Sequence, residues 1–232
     1  MGTISTKGLK AKNKSFYCLG ATGVAKAATD TNNCALSHYY SYEFKQEADP
    51  SFDSEQWRKD HDKVLSKTIP QIKKRLPNTK FLEPESQFLK MRIENKTVFG
   101  VPDIVGIQDN KIYIVDAKSG KKRKEHSYQV SLYGLMGLSN KLASEIGGLF
   151  LAYGSEDRDS EKIEIIDLGA QSFVDKIWTK GKRNKVKSLM KKMGEGHEPD
   201  ANPSISNCMY CSWKNRCSLA VKKEEKELID IF

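Results

Sequence analysis

Gly100-Val101-Pro102-Asp103 and Ile114-Val115-Asp116-Ala117-Lys118 are two apolar runs that each carry an acid, on either side of an Asp109-Asn110 turn. Counting outward from that turn sets Gln108 against Lys111 and Ile107 against Ile112. Continuing, Asp103 falls opposite Asp116. Directly opposed side chains in a hairpin lie roughly 4.5–5.5 Å apart at Cβ. Two carboxylates that close repel each other unless a cation sits between them. Lys118, two residues past Asp116, points to the same face. The plain alternative is an Asp–Lys surface pair on an edge hairpin. Against it, Val101, Ile104, Val105, Ile112, Ile114 and Val115 are apolar, which suggests an interior sheet where unpaired charge is costly. The economical use of such a group is a divalent metal that activates water beside a phosphate.

Working outward from the hairpin, Glu85 to Ile93 alternates and reads as a strand, with a turn at Glu94-Asn95. Thr97 to Ile107 and Lys111 to Lys118 then complete an antiparallel three-strand meander. Residues 124–138 read as a crossover helix, Gly148 to Tyr153 as a short buried strand, and Glu161 to Ile166 as an alternating one. Asp167 to Lys192 reads as one basic helix. Upstream, Cys18 to Thr29 suggests a short, closely packed helix, and an aromatic helix starts near Asn33. Ser54 to Leu76 reads as a long helix capped by Ser54, with Trp57, Val64, Leu65 and Ile72 on its apolar stripe and Pro70 as a kink. The order predicts an α/β fold with a mixed central β-sheet flanked by helices.

The 232 residues suit one large domain, with residues 1–15 as a loose arm. Hydrophobic content of 38% against 30% charged residues indicates a globular chain with a polar surface. The net charge of +9 favours a polyanionic partner, nucleic acid being the commonest. No run approaches the roughly 20 apolar residues of a membrane span. Lys7, Lys10, Lys12 and Lys14 precede no apolar segment, so a secretory leader is not expected and a reducing, cytoplasmic location is. Five cysteines there read as metal ligands or core thiols before disulfides.

The order Gly100-x-Pro102-Asp103, Asp116-x-Lys118-Ser119-Gly120, Gln129-x-x-x-Tyr133 resembles the RecB-type branch of the PD-(D/E)xK nucleases. Gln129 and Tyr133, four apart, share one helical face. The resemblance implies a restriction-endonuclease-like core in which Asp103, Asp116, Lys118, Gln129 and Tyr133 line the catalytic groove. It implies a Mn²⁺ or Mg²⁺ site formed by His61, Asp103, Asp116 and the backbone of Ala117. His61 matches the histidine that such enzymes take from an upstream helix, and an imidazole beside carboxylates suits Mn²⁺. A solvated helix histidine is the alternative. Family members often carry an acid near Glu85, which leaves open a second-metal contact, a core partner or a plain strand-edge acid.

Cys208-x2-Cys211-x5-Cys217 offers three thiols and lacks a fourth, for which Cys34 and Cys18 are candidates. The setting of Cys34, ahead of Ala35-Leu36-Ser37-His38-Tyr39-Tyr40, is similar to the first iron–sulfur cysteine of RecB-type nucleases. The resemblance thus implies a 4Fe–4S cluster on Cys34, Cys208, Cys211 and Cys217, with Cys18 as a buried thiol. Four-cysteine zinc is the alternative. The implied division puts 16–80 and 195–232 in an iron–sulfur helical part around an 81–194 core.

Lys121, Lys122, Arg123 and Lys124 precede the Gln129 helix and read as phosphate contacts. Lys180, Lys182, Arg183, Lys185, Lys187, Lys191 and Lys192 suit either DNA or a solvated face. Tyr210, Trp213, Lys214 and Arg216 suit either a single strand or packing around the cysteines. No Gly-x-x-x-x-Gly-Lys-Ser/Thr loop is present to power unwinding. Small stand-alone relatives, including CRISPR-associated RecB-like exonucleases and phage-encoded ones, imply a DNA exonuclease, single-strand-preferring and 5′→3′ by analogy. Such an enzyme serves recombination, repair or CRISPR-type adaptation, with partner proteins and an oligomer both open. A non-catalytic DNA-binding module, or an end-trimming subunit, is the rival reading. Three positions stand apart from the common RecB-type pattern: Pro102, where many members have other residues, Asp116, where Glu is also common, and Ala35, where proline is frequent.

Overall fold

The computed structural model describes residues 18–29, 34–44, 53–94, 96–154, 162–195, 201–204, 207–208, 211 and 213–221. The expected arm over 1–15, Asn95 and Tyr210 lie outside them. A five-stranded mixed sheet runs in the order β2 (Lys80–Phe81), β5 (Ile104–Gln108), β6 (Lys111–Lys118), β7 (Glu145–Gly154), β8 (Ile163–Gly169). Only the β6–β7 pair is parallel, because α4 (Lys124–Ser139) crosses between these two strands.

The hairpin register is the one counted from the sequence: Gln108 faces Lys111, Ile107 faces Ile112, and Ile104 faces Val115. Asp109 and Asn110 both have positive φ, as a two-residue hairpin turn requires. The three-strand meander, however, is not formed. The run from Thr97 to Ile107 breaks at Val101-Pro102-Asp103, and its halves enter different sheets. β4 (Lys96–Gly100) lies in a second, three-stranded sheet between β3 (Leu89–Ile93) and β1 (Cys18–Gly20), antiparallel to β3 and parallel to β1. Pro102 has no N–H to give to a ladder, and the chain changes sheets there.

Strand alternation splits the core into two layers. Ile112 and Ile114 of β6 pack with Val130, Leu132 and Met136 of α4, and α1 (Ala21–Ala28) closes over that helix. Val115 and Ala117 face the other way, against Val64, Leu65 and Ile72 of α3 (Ser54–Arg75). α3 is capped by Asp53, whose carboxylate accepts from Gln56 N at 2.8 Å, and not by Ser54. Lys73, Lys74 and Arg75 in its last turn complement the helix dipole. Trp57 departs from the expected apolar stripe: it is 46% exposed.

The expected single basic helix is also divided. Residues 167–169 belong to β8, and α5 (Gln171–Ile177) and α6 (Lys180–Gly194) follow. Arg183 Nε donates to the carbonyl of Trp178 at 2.6 Å across the break between the two helices. Val186 and Met190 turn α6 inward, and Lys187 pairs with Glu94, so its basic residues ride on a packed helix. No helix among the described residues is long and apolar enough to cross a membrane.

Candidate metal centre

At the end of the five-stranded sheet, residues from both layers meet. His61 comes from the middle of α3, and its Nε2 lies 3.6 Å from Asp103 Oδ1 and 3.7 Å from Glu85 Oε1. Donor atoms of these three residues lie within 4.8 Å of one another, which among the described residues marks them as the one such group of His, Cys, Asp and Glu. Asp103 divides its carboxylate between two tasks. Oδ2 accepts from the Ala117 amide at 2.5 Å, taking a ladder donor where Pro102 has ended the strand, and Oδ1 faces His61.

Glu85 sits in a turn ahead of β3, not on the strand expected from alternation. Its φ is 52°, and its amide donates to the carbonyl of Asp103 at 2.9 Å. That backbone bond delivers its carboxylate to His61, and Arg58 holds Glu85 Oε2 at 3.0 Å. The sequence reading left Glu85 undecided and did not name Arg58. A Glu in the left-handed region follows no local rule, but Arg58 stands three residues before His61 and so flanks it on the helix surface.

Asp116 lies deeper, at 2% exposure. Its Oδ2 forms a close, buried ion pair with Lys118 Nζ at 2.5 Å. Lys118 Nζ donates to Gln129 Oε1 at 3.2 Å, and Gln129 Nε2 donates to Tyr133 Oη at 2.9 Å. Both ends of the Gln129 amide are therefore used. The ring of Tyr133 lies against β4 at Gly100, where any Cβ would collide with it. A line of contacts thus runs from Gly100 through Tyr133, Gln129 and Lys118 to Asp116. Gln129 and Tyr133, expected in the groove, are both buried and hold the lysine from behind.

The electrostatics describe a site that is uncomfortable by itself. Burial, then the charge of Asp116, pushes Asp103 well above the ordinary carboxylate range. Burial likewise raises Asp116, with Lys118 opposing. Burial lowers His61, with Glu85 opposing, so its imidazole is held toward the neutral form that ligates metals. The residues fit a divalent cation: one imidazole nitrogen and two carboxylates clustered within 4.8 Å, with the buried carboxylate of Asp116 raising the pKa of Asp103. Of Ala117, the structure shows the amide engaged with Asp103.

The chain matches the family model of the PD-(D/E)XK nuclease superfamily over residues 23–218. It belongs to that superfamily. Members are nucleases that use divalent metals such as Mg²⁺ and Mn²⁺, and the family implies a DNA substrate. A solved structure described as "Crystal structure of SSO0001" is similar over 92% of this chain and 91% of that one, at 11% identity and a TM-score of 0.49. No curated protein matches the chain.

Two further groups of predicted residues lie outside this cluster. Lys121 and Lys122 border a surface cavity with Gly120, Tyr153, Gly154, Lys162, Ile163 and Glu164. Lys122 pairs with Glu164 at 2.6 Å, Arg123 approaches Glu125 at 3.9 Å, and Lys124 opens α4. Elsewhere, Cys34, Cys208, Cys211 and Cys217 line one small pocket. Cys34 caps the start of α2 (Ala35–Glu43), and Cys211 Sγ lies 3.5 Å from Ser37 Oγ. Trp213, read as either a stacking or a packing residue, is buried with Leu36, Tyr39 and Tyr40, and its indole N–H donates to Ser41 Oγ at 2.8 Å.

Proposed function

We propose that this chain is a RecB-like, metal-dependent deoxyribonuclease, single-strand-preferring and exonucleolytic, working 5′→3′ in recombination, repair or CRISPR-type adaptation. The observation that carries the nuclease reading is the meeting of His61, Glu85 and Asp103 with the buried Asp116–Lys118 ion pair nearby. His61, Asp103 and Asp116 hold the metal, with Glu85 joining them in place of a strand-edge role. Bound there, Mn²⁺ or Mg²⁺ supplies a Lewis acid and an activated water.

Lys118 is the group that faces the attacked phosphate. Its ammonium is aimed by Asp116 and Gln129, and it offsets charge that develops on the phosphoryl oxygens. Gln129 and Tyr133 fix that aim. Lys121, Lys122, Arg123 and Lys124 follow the phosphates leading to the site. The nuclease acts on DNA ends, alone or as an oligomer, and recombination or adaptation proteins are its expected company.

Cys34, Cys208, Cys211 and Cys217 would hold a 4Fe–4S cluster that joins the start of α2 to the C-terminal cysteines. Zinc on the same four cysteines is the alternative occupant. The four cysteines line one small pocket, the gathering of thiols that a cluster bound by four cysteines needs. Among the described residues, Cys34, Cys208, Cys211 and Cys217 are free thiols, as ligation of a cluster requires.

The test is a digestion of 5′- and 3′-labelled single strands, duplex and circular DNA with Mn²⁺, Mg²⁺ or EDTA. Metal-dependent shortening of single strands from the 5′ end is expected. No cleavage with any metal would sink the enzyme reading, and 3′ shortening would reverse the polarity.

A further inference from the structure

Four large hydrophobic residues are exposed among those described: Trp57, Phe88, Val101 and Leu219. Scattered singly, such residues need no explanation. Here three of the four stand on the segments that build the metal centre. Trp57 is one helical turn before His61, Phe88 is three residues after Glu85, and Val101 is two before Asp103. The indole of Trp57 lies over the His61 imidazole, with ring centroids 5.5 Å apart and planes 14° from parallel. His61 is 6% exposed beneath it, whereas Trp57 is 46% exposed. Phe88 is 61% exposed and stacks on Phe99 of β4 at 5.5 Å and 23°.

We infer that Trp57 is a stacking platform for one unpaired nucleobase, next to the metal centre proposed at His61, Glu85 and Asp103, with Phe88 as a second contact on the same strand. This rests on the nuclease reading above and deepens it. An uncharged aromatic face beside a phosphodiester site suits the one uncharged, flat part of a polynucleotide. Stacking of this kind is indifferent to base identity, because every base has a π-face. It also selects against intact duplex, whose bases are already stacked on one another. The platform therefore gives single-strand preference a place in this chain: the first turns of α3.

The chain has three tryptophans. Trp178 and Trp213 are 4% and 2% exposed, with their indole N–H groups bonded to Ser131 and Ser41. Intrinsic fluorescence thus reports contact at Trp57. The experiment titrates the protein in EDTA at low salt with oligothymidylate, with an abasic phosphodiester strand of equal length, and with blunt duplex. Oligothymidylate is expected to quench the emission, and the abasic strand and duplex to leave it unchanged. Trp57→Ala should weaken oligothymidylate binding by about tenfold and leave abasic binding within twofold. Trp57→Phe, which keeps a ring over His61, should bind oligothymidylate with intermediate strength and lose the quench.

Absence of a base-dependent quench in the wild type overturns the platform. So does a Trp57→Ala variant whose preference for oligothymidylate over the abasic strand is unchanged. Base-dependent quenching in a protein that cleaves nothing with Mn²⁺ supports the platform and removes the nuclease reading. Cleavage without such quenching does the reverse.

Discussion

The metal centre and the cysteine pocket are both built from residues distant in sequence, but they are held in opposite ways. The metal centre sits on the end of a five-stranded ladder. Asp103 is pinned by an adjacent strand's amide, Glu85 by a backbone bond to Asp103, and Lys118 by a buried Gln129–Tyr133 pair. The cysteine pocket joins α2 to segments more than 170 residues away around a small core of Leu36, Tyr39, Tyr40 and Trp213. The lesson is a division of labour. The fold arranges the first site at an electrostatic cost that a divalent cation would relieve, and the second rests on a small aromatic core that the proposed cofactor would brace. Damage to the first should therefore remove chemistry and leave the fold. Damage to the second should loosen the fold and leave the chemistry of each folded molecule.

The largest effect is expected at the carboxylates. Asp116→Asn or Asp103→Asn should lower Mn²⁺-dependent cleavage by about a thousandfold, as measured by single-turnover kinetics. In EDTA the same variants should melt at a higher temperature than wild type, because each removes a buried charge. Lower melting would break the contrast by making the acids structural.

Next comes the line of contacts behind Lys118. Gln129→Leu should cost about 10–100-fold in kcat with little change in KM, since it loosens the aim of a transition-state contact. Tyr133→Phe removes a single hydrogen bond to Gln129 and should cost about tenfold or less. A Gln129 variant that changes only KM would make this residue a substrate contact instead.

Cys208→Ser should act on the other region. Loss of its cofactor should lower the melting temperature by about 6–12 °C, for a stabilisation on the order of 3 kcal/mol. Activity per folded molecule should stay within about threefold, a change of less than 1 kcal/mol. A brown colour absorbing near about 400 nm, expected of thiolate-bound iron–sulfur, should disappear with it. A colourless, zinc-loaded wild type purified without oxygen would replace the cubane.

The smallest effect is on pH dependence. Asp103 and Asp116 bind protons more tightly in the folded protein than unfolded. Their contribution to stability is therefore complete below the ordinary carboxylate range, about 3.9, and is lost as pH rises through their elevated folded values. Calorimetry in EDTA should show this decline toward neutral pH in wild type and a shallower one in the Asp103→Asn, Asp116→Asn double variant. Adding Mn²⁺ should cancel it in wild type alone.

Much of the centre was legible because it is local. The Asp109-Asn110 turn and strict alternation give the hairpin register, which brings Asp103 and Asp116 together without knowledge of the rest. Helical spacing likewise places Gln129 and Tyr133 on one face. The change of sheet at Pro102 was not legible, since β4 and β5 are both apolar and sheet membership depends on long-range pairing. The division of residues 167–192 was hidden because apolar residues, Phe173, Val174, Ile177, Val186 and Leu189, continue on both sides of the break. Trp57 fits the helical period of the α3 core stripe yet points outward, because that helix buries its stripe only from His61 onward. Glu85 joins the centre through a left-handed turn and a bond to Asp103, neither of which leaves a trace in residue type.

The most direct measurement is the anomalous scattering of Mn²⁺ in crystals of the protein. The account predicts a manganese peak within bonding distance of His61 Nε2 and a carboxylate oxygen of Asp103, reached also by Glu85 or Asp116. A manganese peak that touches none of these four residues in an active enzyme would contradict it.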